Sequence, residues 1–175
     1  MKTAAMNSAT TGKSRSPFWR FSLRLYARPR VAPACLALQD VAGADVNVLF
    51  YLLFLAEQGR RIDRLEIAGI DSIVQAWRAR AVVPLRTLRR ELKDGIGRVT
   101  PDTSAALRTK VKRIELEAER IEQEMLERLA PAEALGTQAA ARAAAASANL
   151  AAYAEFLGGL PDKPVGILLE AVAGK

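Results

Sequence analysis

The chain has 175 residues, 26 Lys or Arg against 19 Asp or Glu, no histidine and one cysteine, Cys35, giving a net charge of +7. This composition removes imidazole bases, histidine or multi-cysteine zinc sites and structural disulfides. Ala, Leu, Arg and Glu dominate and no long turn-rich β pattern occurs, so the expected class is all-α, in one domain able to bury about two-thirds of its unfolded surface.

The opening MKTAAMNSATTGKSRS has no apolar signal core and is rich in Ser and Thr. Residues 1–15 are expected to be disordered, 16–157 to form the single helical domain, and 158–175 to be a flexible or weakly packed tail. Ser16-Pro17 is a helix start, a serine cap with proline at the first helical position. Phe18, Trp19, Phe21, Leu25 and Tyr26 then share one face opposite Arg20, Arg24 and Arg28, the pattern of an amphipathic helix docked on a core. It ends before Pro29.

Residues 31–41 form a second short helix, with Pro33 tolerated in its first turn and Gly43 as its stop. Cys35, in an apolar helical context, is read as a core residue and not as a nucleophile. Asp40, Asp45 and Asn47 cluster around the next connection. Their oxygens suit magnesium, but caps and turns need the same residues, and no metal is assigned.

Val46–Ala56, VNVLFYLLFLA, is apolar around its whole circumference, yet far shorter than the roughly 20 residues a membrane span requires. It is therefore the core helix, drawn as 46–58 with Asp45 as cap and Gly59 as stop. Ile70, Val74, Trp77, Ala81, Leu85, Leu88 and Leu92 continue on one helical face. Pro84 falls inside that face and predicts a kink or break near Val82. Arg86, Arg89, Arg90 and Lys93 form a basic stripe beside the leucines, joined by Arg78. These five cations are the candidate anion- or partner-binding residues, with Glu115, Glu119 or Glu122 as acids able to reach across and neutralise them.

Thr100-Pro101-Asp102 opens a long charged helix of about 101–129. Leu107, Val111, Ile114, Ala118, Ile121 and Met125 alternate spacings of four and three. This seam is expected to pack within the chain, favouring a monomer over a homodimer. Residues 132–157 read as Ala-rich and helical, presenting Leu150, Tyr153, Phe156 and Leu157 before Gly158-Gly159. The expected architecture is a compact bundle of five or six helices around residues 46–58.

Three phrases together, FWRFSLRLYARPRVAPACLALQDVAGADVNVLFYLLFLA, WR…VVPLRTLRREL and VKRIELEAERIEQEML, resemble an uncharacterised bacterial family, the domain of unknown function numbered twenty-three-ninety. The resemblance runs from about Pro17 to Leu129. It implies a small cytoplasmic helical protein, with no catalytic or cofactor residues to carry over. The residues themselves offer no phosphate loop, nucleophile elbow or metal-ligand spacing. An enzyme is disfavoured and no cofactor is expected. A protein-interaction module is the leading reading, and nucleic-acid or other anion binding through residues 86–93 the alternative.

Overall fold

The structure, a computed structural model, describes residues 16–174. The expected disordered segment 1–15 lies outside the described residues. Eight α-helices occur among them: α1 (Pro17–Tyr26), α2 (Val31–Ala42), α3 (Val46–Glu57), α4 (Arg64–Trp77), α5 (Val83–Asp94), α6 (Pro101–Glu127), α7 (Arg142–Leu157) and α8 (Asp162–Val172). The all-α class holds. The helix number exceeds the expected five or six because the 64–94 segment divides at Pro84 and the tail supplies one helix more.

Local chemistry explains the boundaries. The Ser16 hydroxyl accepts the Trp19 amide, and Asp45 Oδ1 accepts those of Asn47 and Val48, so two helices start at side-chain caps. Gly43 ends α2 in the left-handed region, at φ 65°. Asp63 and Glu66 form a capping box at the start of α4.

α3 lies at the centre, with Val48, Leu49, Leu52, Leu53, Leu55 and Ala56 fully buried. α1 docks on it through an aromatic layer, Phe18 against Tyr51 at 5.2 Å and against Phe54 at 5.4 Å, with Phe21 joining Phe54 at 5.6 Å. α7 covers another side. Its buried Asn149 accepts the Ile62 amide and donates to the Leu52 and Arg60 carbonyls, tying α7 to the end of α3. Cys35 is buried among these residues, and burial pushes its thiol up to about 12. A thiol reagent at neutral pH should therefore leave native Cys35 unmodified and label it rapidly in denaturant. Stoichiometric labelling of the folded protein would show α2 to be loosely held.

Two segments depart from expectation. Residues 132–141 are not helical: they hold a 3-10 turn at Ala132–Ala134 and a two-residue strand, β2 (Thr137–Gln138), antiparallel to β1 (Arg60–Arg61). Gly136, at φ 62°, lets this hairpin-like contact close, since a Cβ there would lie 2.2 Å from the Arg61 carbonyl oxygen. The tail is not loose either. α8 buries Leu168 and Ala171 against α2, and Glu170 pairs with Arg30 at 2.9 Å. Only one short apolar face in VGILLEAV was needed for docking, too little for its own sequence to announce.

Candidate functional site

Between α4 and α5, residues Arg78–Val82 form one π-helical turn. Pro84 causes it. Proline has no N–H to give to the preceding turn and its ring presses on the carbonyl four residues back, so the backbone widens and the Val83 amide reaches back to the Arg78 carbonyl. The break expected near Val82 is thus a bulge that keeps the chain helical while turning its faces.

The bulge points Arg78 inward. Its Nη1 donates to Asp45 Oδ2 and to Asp71 Oδ1, both at 2.8 Å, and Nη2 to Asp71 Oδ2 at 3.1 Å. Burial opposes its charge, but its hydrogen bonds to Asp71 and Asp45 outweigh that and raise its pKa. Beside it, Asn47 donates to Glu122 Oε2 and accepts from Gln123 Nε2, each at 2.8 Å, and the Tyr153 hydroxyl accepts the Asp45 amide at 2.9 Å. A buried polar junction joins α3, α4, α6 and α7. Within it burial, then the Asp45 charge, pushes Glu122 well above the carboxylate range, to about 9.

The structure separates the five candidate cations. Arg86 bonds Glu115 at 3.3 Å and Glu119 at 2.8 Å, and Arg89 also pairs with Glu115, through Nε and, at 3.2 Å, through Nη2. Arg90 turns to Asp40 on α2, at 2.7 Å, and that bond holds the Asp40 carboxyl below its ordinary value. Lys93 alone stays exposed without an ion pair. Asp40, Asp45 and Asn47 are likewise committed to separate partners. Among the described residues, no group of three or more acidic, cysteine or histidine side chains is placed to hold a metal ion.

The six carboxyls and amides of this centre (Asp45, Asn47, Asp71, Glu115, Glu122 and Gln123) were not singled out from sequence as one site. A signal did exist. On α6, Ser104, Val111, Glu115, Ala118, Glu122 and Leu126 also lie on one helical face, and it is this face that is buried. The heptad seam is correspondingly divided. Val111 and Ala118 are inside, while Leu107 and Ile114 are 52% and 55% exposed, against the expectation that all of it packs within the chain. Glu115 and Glu122 displace those apolar residues because Arg86, Arg89 and Asn47 meet them there.

α5 and α6 pair antiparallel, with Ile96 and Val99 bridged at the tip. Arg86, Arg89 and their glutamates take one side of this hairpin. Helical spacing then puts Leu88, Leu107 and Ile114 on the other side. All three are exposed, as are Ile96 and Val99. The same hairpin carries Lys93, Arg98, Arg108, Lys110, Lys112 and Arg113, none of which has an ion-pair partner among the described residues. The same spacing puts Lys110 beside Leu107 and Ile114, and Lys93, Arg108 and Lys112 on the arginine–glutamate side.

Compared with known families, residues 17–126 match the model of the family described as "Protein of unknown function (DUF2390)". The chain belongs to that family. No curated protein and no solved structure matches it. The matched stretch contains the α5–α6 hairpin short of the last residue of α6 and all of the buried junction except Tyr153, which α7 adds from outside the match. No helix among the described residues is long and apolar enough to cross a membrane.

Proposed function

We propose that this family member is a cytoplasmic, non-enzymatic protein-interaction module whose α5–α6 hairpin receives an acidic protein partner. The observation that carries the reading is the shared exposure of Leu88, Leu107 and Ile114 on a two-helix arm that also carries unpaired cations. Exposed aliphatic side chains grouped at helical spacing suit a protein surface, where burial supplies affinity and the net positive charge of the arm supplies steering. Glu122, the most perturbed carboxyl, is fully buried and so cannot meet a substrate. That supports a structural and not a catalytic use of the junction.

Nucleic-acid or other anion binding by residues 86–93 is the second reading. It loses support because Arg86, Arg89 and Arg90 already hold carboxylates. Any phosphate contact would fall to the cations nearer the hairpin tip.

The expected result is that immobilised wild type retains a protein from nuclease-treated native lysate and that a Leu107→Ser/Ile114→Ser variant does not. The variant should melt within a few degrees of wild type, because both side chains are more than half exposed. Equal retention by the two proteins would overturn the reading. Nuclease-sensitive capture with a steep salt dependence would move it to nucleic acid. A concentration-dependent dimer that Ile114→Glu dissolves would instead place a second copy on this face.

A further inference from the structure

The buried junction contains one more carboxyl than its cations and donors satisfy. Asp71 receives Arg78 on both oxygens, and Asp45 receives two amides on Oδ1 and Arg78 on Oδ2. Arg86 is committed to Glu115 and Glu119, and Arg89 to Glu115. Glu122, with no solvent exposure, is left with one neutral donor, the Asn47 amide on Oε2, while its buried Oε1 has no donor at all. The Asp45 carboxylate is a neighbour whose charge further opposes its ionisation. Two such neighbours, sealed from water, do not both stay ionised, because burial and like charge each penalise the second anion.

We propose that Glu122 is held as a neutral carboxylic acid in the folded protein, giving the proton on its unpartnered oxygen to Asp45, and that this proton locks the junction of α3, α6 and the π turn. Every charged or titratable group facing it fits that state. From α3 these are Asp45 and the Asn47 amide, and from α4 and the π turn Asp71 and Arg78. On α6 itself they are Glu119 and Gln123, with Arg86 of α5 behind Glu119, and from α7 Tyr153, whose phenol burial keeps neutral. Only Arg78 is cationic and in reach, and it is shared between two carboxylates already. Burial and the Asp45 charge raise Glu122, and the Asn47 bond and Arg78 only partly offset them.

The consequence is a coupling of folding to proton uptake. A carboxyl whose folded pKa lies above its unfolded value binds more protons folded than unfolded. Its stabilisation is complete below the unfolded pKa and is lost as pH rises toward the folded one, here from the ordinary carboxylate range toward about 9. Since Asp45 also holds Arg78, loss of this proton would loosen the root from which the α5–α6 hairpin projects.

Glu122→Gln keeps the shape and the neutral charge, and it removes the titration. In urea unfolding between pH 5 and 8, the folding constant of wild type should fall relative to that of Glu122→Gln by about tenfold per pH unit, the effect of one proton. Parallel pH profiles for the two proteins would overturn the proposal. Should the variant not fold, wild type answers directly by carbon-13 NMR of its glutamate carboxyls. One glutamate still protonated at pH 7 supports the lock. Titration of every glutamate in the ordinary carboxylate range refutes it.

Discussion

Replacing Arg78 with methionine is expected to destabilise the protein by about 3–5 kcal/mol, the usual cost of removing one partner from a buried ionic group. The guanidinium is bonded to two carboxylates, and Asp45 and Asp71 are each only 8% exposed. Methionine fills the volume but leaves both anions without a cation, next to a third carboxyl at Glu122. The loss should be partly recovered by adding Asp71→Asn, which removes one of the stranded charges and restores a neutral hydrogen-bonding group. Urea melts of the single and double variants measure this as a coupling. A single variant within 1 kcal/mol of wild type would show that water, not burial, sets the energetics of the junction.

The second large effect is expected at Leu53→Ala, at about 2–5 kcal/mol, the range for a buried leucine with its residual cavity. Leu53 has no solvent exposure, and neither do Leu49, Leu52 and Leu55 around it on α3. The site cannot collapse easily, because α1 closes the helix on one side with its aromatic layer and α7 on another with Asn149 and Tyr153. The midpoint of urea unfolding should fall with no change in slope. An unchanged midpoint would remove α3 from the core. The two substitutions also separate the apolar centre from the polar junction, since only Arg78→Met should depend strongly on the state of Asp71.

The contrast between α3 and α6 shows what could be read in advance. α3 is apolar all round, so no choice of face arises, and its place at the centre follows from solvent exclusion alone. α6 carries two overlapping patterns with the same three-and-four spacing. One runs through Leu107, Val111, Ile114 and Ala118, the other through Val111, Glu115, Ala118 and Glu122. Hydrophobicity favours the first. The protein buries the second, because Arg86, Arg89 and Asn47 arrive with complementary groups from α3 and α5. The arginine stripe was legible as a stripe for the same local reason, while the neutralisation of Arg86 and Arg89 depended on the face that α6 turns inward.

By itself the sequence determined the all-α class, the central helix, drawn as 46–58, the caps at Ser16 and Asp45, the stop at Gly43 and the disturbance before Pro84. Each is set by residues within one or two helical turns, where backbone hydrogen bonds and proline sterics act. Only the tertiary structure decided which face of α6 is buried, that α8 docks on α2, that residues 137–138 pair with 60–61, and that Arg78 meets Asp45. Those outcomes rest on partners 26 to 109 residues apart for the α6 carboxyls alone. A buried charge or amide is stable only where its partner arrives, and that arrival is a property of the assembled helices and not of either segment.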